Sequence, residues 1–272
     1  MKKIWIRVGI VVICVFALIG FVLVAGYVAL ELGWTKTNGI IDTQHDYFKN
    51  QTHNSANAAW TQGDEWQTLK AAITKDKEVI NKAATVAGVP ARMIVAPLVV
   101  EQLRLFYSDR EIFKQIFSPL KILGNQSQFS WGVMGIKQDT ARQIEDNLKN
   151  TSGSWYLGST YEHLLDFPAS TTDSDTQRFN RLTDEHDRYY SYLYGGTLIK
   201  EIETQWQRAG FSIADKPEII ATLFNIGFQN SKPHAGAQVG GAAIVIGSTT
   251  YSFGGLAGDF YYSNELTDIF PR

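Results

Sequence analysis

The chain has 272 residues, 44% of them hydrophobic, with 25 Lys and Arg against 27 Asp and Glu, a formal net charge of -2 and a pI near 6.2. That balance lacks the basic surface on which nucleic-acid binding depends, and the length allows one good core or two small ones. Cys14 is the only cysteine, which excludes a disulfide framework and a cysteine metal site in the rest of the chain.

Lys2, Lys3 and Arg7 precede an uncharged apolar run, Val8 to Leu30. A membrane-spanning helix needs roughly 20 such residues, whereas the apolar part of a secretory signal has only about 7–15. The run is therefore read as a retained single-pass anchor. Residues 1–7 are expected in the cytoplasm and the rest on the far side of a cell membrane, because positive charge stays inside. Residues 31–62 are polar and read as a tether, and 63–272 as the folded domain.

Helical periodicity opens at Asp64 and runs to Ala87, where Gly88-Val-Pro90 stops it. A second helix follows, Ala91-Arg-Met-Ile-Val-Ala-Pro-Leu-Val-Val-Glu101-Gln-Leu-Arg-Leu-Phe106, with Pro97 expected to bend it. Asp109–Phe117 reads as a short helix whose acids, Asp109 and Glu111, suit a helix start. Residues 123–129 read as a loop, Gln138–Leu148 as a helix, Thr151–Thr160 as a Ser/Gly loop, and 161–167 as a short helix. Asp173–Ala209 carries one long helical pattern with Gly195-Gly196 midway. Pro217 begins a last clear helix. The tail from His234 to Gly258 is rich in Gly, Ala and Ser, with one β-prone stretch at Ala242–Ile246. The expected class is mainly α.

Three segments carry chemistry. Glu101 lies on a stripe with Ile94, Leu98 and Leu105. Burial there costs heavily unless the carboxyl is paired or protonated, and such a group suits acid–base work. The bland alternative is a surface pair with Arg104, one turn on. Ser130-Trp-Gly-Val-Met-Gly-Ile-Lys-Gln-Asp-Thr-Ala141 opens a helix from a small loop in which Gly132 and Gly135 permit close approach and Met134 offers a soft apolar contact. Ile220-Ala-Thr-Leu-Phe-Asn225-Ile-Gly227 ends an apolar helix on an Asn that serves either as a cap or as an amide aimed at substrate. The histidines (45, 53, 163, 186, 234) show no metal-ligand spacing, and Asp184–Asp187 reads as a solvated helix face. No metal and no cofactor are expected.

In this order the three segments resemble the motifs of the lytic transglycosylase family, over roughly Lys70 to Gly227. The first motif is a hydrophobic helix ending in Glu, here Glu101. The second matches at Ser130, Gly132, Met134, Ile136, Thr140 and Ala141. The third has Gly195 as its counterpart, and the fourth is matched by Leu223–Gly227. Gln102 stands for the family's Ser, Gly135 for its Gln, Gln138 for a common Pro and Phe224 for its Tyr. The resemblance implies a lysozyme-like domain acting on peptidoglycan glycan strands, with Glu101 catalytic and Ser130, Gly132, Met134 and Asn225 binding substrate. Glu101 would protonate the bond between N-acetylmuramic acid and N-acetylglucosamine. It would then take the C6 hydroxyl proton as a 1,6-anhydro ring closes, a scheme that needs no second carboxylate. A goose-type hydrolase and an inactive wall-binding or scaffold module are the alternatives, and an envelope-spanning or wall-synthesis complex is a candidate partner.

Overall fold

The structure, a computed structural model, describes residues 58–107 and 130–272, together with Gly20, which is helical. Apart from Gly20, these all belong to one compact unit, Ile40–Arg272. The run Val8–Leu30, residues 31–57 of the tether, the expected helix Asp109–Phe117 and the loop 123–129 lie outside the described residues. Within them the fold is mainly α, with eight helices and two short antiparallel strand pairs. No single described helix is long and apolar enough to cross a membrane.

A 3-10 turn, Ala59–Thr61, precedes α1 (Asp64–Lys75). Trp60, within the stretch expected to be tether, is a core residue that meets Trp66 edge-to-face at 4.9 Å. The expected single helix to Ala87 is instead two, because α1 stops at Asp76 and α2 covers Lys77–Ala87. The Asp76 carboxylate accepts from Arg188 Nη1 at 2.8 Å and from the Tyr192 hydroxyl at 2.6 Å, so the break is anchored to a distant helix. Gly88 closes α2 in the left-handed region, φ 71°, where a residue with a β-carbon is strained.

Helix α3 (Ala91–Phe106) contains Pro97 without being ended by it. It meets α2 at a 120° bend. Every residue from Arg92 to Glu101 is buried, since α3 packs against α1, α2 and three later helices, those spanning Tyr189–Arg208, Pro217–Ile226 and Phe253–Tyr262. A helix apolar on all sides belongs in the centre of a fold.

Strands β1 (Ser130–Trp131) and β2 (Ile136–Lys137) pair Ser130 with Lys137 and Trp131 with Ile136. Helix α4 (Gln138–Lys149) follows as expected. The helix expected over 161–167 does not form. A 3-10 turn occupies Ser159–Tyr161, and the Leu165 and Asp166 carbonyls accept from Arg181 at 2.7 and 2.8 Å instead of from helical amides.

The long pattern from Asp173 divides into α5 (Ser174–Thr183) and α6 (Tyr189–Arg208). The break falls at Asp184–Arg188, not at the glycine pair. Asp184 Oδ1 accepts from the amides of His186 and Asp187, and Asp187 Oδ1 from that of Tyr189. Asx turns of this kind compete with the helix, so the segment read as a helix face is a linker. Gly195 and Gly196 lie inside α6 and are buried.

Helix α7 (Pro217–Ile226) starts on its proline. Strands β3 (Ala243–Ile246) and β4 (Thr249–Ser252) make a hairpin in the β-prone stretch, and α8 (Phe253–Tyr262) turns the end of the Gly-rich tail into a buried helix. Its Gly254 lies so close to α7 that an added β-carbon would stand 2.0 Å from Thr222 Oγ1 and 2.4 Å from the Glu218 carbonyl. The α3 N-terminal half is clamped to the segment after α8 by Arg92. The fully buried guanidinium donates Nε to the Tyr261 carbonyl (2.8 Å), Nη1 to Glu265 (2.9 Å) and Phe270 (3.0 Å), and Nη2 to Phe260 (2.8 Å) and Ser263 (2.9 Å). These are all five of its donors. Burial, then repulsion from Arg272, lowers its pKa to about 10.

Candidate active site

The loop Gly132–Gly135 joins two strands of two residues each, and both of its glycines have φ 62°. The Gly135 amide donates to the Gly132 carbonyl at 3.2 Å. Such a tight turn, with two left-handed positions, needs glycine at both. A β-carbon on Gly132 would stand 1.8 Å from the Leu182 carbonyl. The turn is therefore wedged against the end of α5.

Helix α3 reaches this turn with three consecutive features. Glu101, 4% exposed, lies against Gly135, where a β-carbon would be 2.7 Å from its Cδ and Oε2 and 3.1 Å from Oε1. Gln102 donates Nε2 to the Val133 carbonyl at 2.6 Å. Arg104 donates Nη2 to Glu101 Oε2, and the side chains of the pair are 17% and 5% exposed. The arginine contact predicted from spacing is thus present, but as a nearly buried pair and not a surface one. Taking both charges out of water is costly, and removing one partner of such a pair typically costs about 3–5 kcal/mol.

Two residues that differ from the motifs the sequence resembles acquire local reasons here. The carboxyl of Glu101 fills the space a side chain at 135 would use, which suits Gly135. Phe224 is buried and stacks on Phe253 with centroids 6.5 Å apart, where a tyrosine hydroxyl would need a buried partner. Gln102 ties α3 to the turn, a role that its position in the sequence does not signal.

The residues expected to bind substrate divide. Gly132 is in the turn. Met134 is fully buried and points at α6, where a β-carbon on Gly195 would stand 2.6 Å from its Cε. It supports the turn from beneath, and it joins the third-motif glycine to the second motif. Ser130 pairs through its backbone with Lys137. Asn225, in the last turn of α7, accepts from the Ala242 amide through Oδ1 at 2.8 Å, and Thr222 Oγ1 accepts from the Gly240 amide at 3.0 Å. The Asn225 amide oxygen thus fastens the 240–242 segment to α7.

A second glutamate meets the same sequence criterion as Glu101. Glu201 follows Tyr194 and Leu198 on the apolar stripe of α6 and is 0% exposed. Burial pushes its carboxyl well above the usual range, opposed by a hydrogen bond from Asn147 Nδ2 to Oε2 at 3.0 Å. Its Oε1 has no partner. Adjacency to the Gly132–Gly135 turn and the pair with Arg104 distinguish Glu101 from Glu201. Nearby, Arg178 grips Glu145 with two bonds of 2.7 and 2.6 Å, and the Tyr194 hydroxyl donates to the same carboxylate, so α4, α5 and α6 share one polar knot. A hollow of about 270 Å³ beside it is lined by Glu145, Leu148, Lys149, Glu162, Asp166 and Phe167. Its carboxylates are engaged by Arg178, Tyr156 and Lys149.

Among the described residues no group of three or more His, Cys, Asp or Glu side chains is placed to hold a metal ion. Comparison with protein-family models, with curated proteins and with solved structures gives no match.

Proposed function

We propose that the domain is a lysozyme-like lytic transglycosylase that cuts peptidoglycan strands, with Glu101 as acid and then base. The observation that carries this reading is the buried Glu101 carboxyl held against the backbone of the Gly132–Gly135 turn. A carboxyl in a sheltered place, held against the backbone of a tight turn, fits proton transfer to a glycosidic oxygen. Protonated Glu101 would donate to the oxygen between N-acetylmuramic acid and N-acetylglucosamine, while the sugar's N-acetyl group stabilises the cationic centre. The resulting carboxylate would accept the C6 hydroxyl proton as the anhydro ring closes. The apolar run Val8–Leu30 would anchor the domain on the outer side of a cytoplasmic membrane, beside its wall substrate and within reach of an envelope-spanning or wall-synthesis complex.

One observation favours a second reading, a wall-binding module without cleavage. The Glu101 carboxyl is engaged by Arg104 Nη2 and packed against Gly135, contacts that also suit a purely structural tie between α3 and the turn. Zymography on purified wall with wild type and Glu101→Gln separates the two. Clearing by wild type that the variant lacks supports the enzyme, and no clearing by wild type supports the binding module. Product mass then distinguishes an anhydro end, lighter by one water, from the reducing end left by a goose-type hydrolase.

A further inference from the structure

Arg104 uses only part of its guanidinium. Nη2 donates to Glu101 Oε2, while Nε is buried and has no hydrogen-bond partner. A planar fork that makes one contact and leaves a second donor dry is suited to a carboxylate that could take both in a bidentate grip. Among the described groups placed against the Glu101 carboxyl, the turn is backbone wedged against α5, and Arg104 is a partly exposed side chain near the end of α3. A long side chain in that position can move without disturbing the backbone.

We propose that Arg104 recognises a carboxylate carried by the glycan strand, and that this group draws it away from Glu101. The inference rests on Glu101 being the proton donor. Without substrate, the guanidinium sits on Glu101 Oε2. When a strand enters, its carboxylate offers the orphaned Nε–H a partner and the guanidinium shifts to it, so a cation leaves Glu101. Glu101 then takes a proton from solvent, forming the O–H that it later donates to the glycosidic oxygen. Arg104 is then the residue that selects acidic glycans, those bearing the lactyl carboxylate of N-acetylmuramic acid or the carboxylates of its peptide, over neutral polymers of N-acetylglucosamine.

The test compares wild type, Arg104→Gln, Arg104→Lys and Glu101→Gln on three probes of matched length. The probes are peptide-free wall glycan with lactyl carboxylates, peptide-bearing wall glycan, and neutral N-acetylglucosamine oligomers. Both kcat/KM and calorimetric affinity are read, with melting temperature as the control for folding. The ratio of acidic to neutral kcat/KM should fall about 10–100-fold in Arg104→Gln, the range for losing a charged hydrogen bond. Arg104→Lys, which keeps the charge and loses the fork, should fall between. The acidic probe that shows the loss identifies the carboxylate. An unchanged ratio, or equal losses on acidic and neutral probes, overturns the proposal. Cleavage that survives Glu101→Gln overturns the acid role alone, and the affinity ratio then decides Arg104 independently.

Discussion

The carboxyl of Glu101 occupies the volume that a side chain at position 135 would need, so Gly135 and Glu101 are mutually required. The contact joins the middle of a central helix to a four-residue turn 34 positions later in the chain, with a built β-carbon only 2.7 Å from Glu101 Cδ.

Gly135→Ala should therefore lose on two counts, a β-carbon at φ 62° and a collision with a buried carboxyl. The expected destabilisation is about 1–3 kcal/mol, together with a loss of glycan cleavage, because the carboxyl must shift. Urea unfolding read beside zymography checks both. A variant as stable as wild type would show that the turn is not seated against Glu101.

Glu201 makes stability depend on pH in an identifiable direction. Its folded pKa is raised above the ordinary value of 4.5, so the folded state binds more protons than the unfolded one across that interval. Its contribution is complete below pH 4.5 and declines as pH rises through the folded pKa. Glu201→Gln keeps an oxygen for Asn147 and has no proton to lose. Relative to wild type the variant should gain stability with rising pH, by up to about 1.4 kcal/mol per unit. Denaturant titrations of both proteins from pH 4 to 9, taken as differences, isolate this group. Parallel curves would mean that Glu201 is not buried as described.

Arg92→Lys tests the clamp. An ammonium has three donors on a flexible stem and cannot serve five carbonyls held by a planar fork. Each buried carbonyl left without a donor costs about 1–3 kcal/mol, so the total loss should exceed about 3 kcal/mol. Hydrogen exchange over residues 260–270 should accelerate most. Unchanged protection there would remove the clamp from the account.

At Gly254, two effects oppose each other. Alanine in a helix interior is favoured over glycine by about 1 kcal/mol, yet the new methyl would lie 2.0 Å from Thr222 Oγ1. Backbone on α7 is in the way as well, so steric cost should win and Gly254→Ala should lower the melting temperature. A rise would show that α7 and α8 can separate freely.

Much of the fold was legible in local pattern. Helices α3, α4 and α7, and the stop of α2 at Gly88, were legible because helix stops, proline positions and apolar spacing act within one or two turns. The division at Asp76 and the linker at Asp184–Arg188 were not legible as breaks, since those aspartates fit a helical pattern until their carboxylates find partners. Helix α8 was hidden because glycine lowers helix propensity. Gly254 and Gly258 pack against Thr222 and Glu218 of α7, and tertiary packing outweighs that propensity.

The sequence alone determined a mainly α chain, the apolar helix carrying Glu101, and a small loop with Gly132 and Gly135 that opens onto a helix. Each follows from residue type and spacing, which act over short distances. Only the tertiary structure decided which buried glutamate meets that turn, that the Glu101–Arg104 pair is nearly buried, that Met134 supports the turn from beneath, and that Asn225 fastens the tail segment. Those outcomes depend on which surfaces meet when distant helices pack, and residue order does not state that through any local rule.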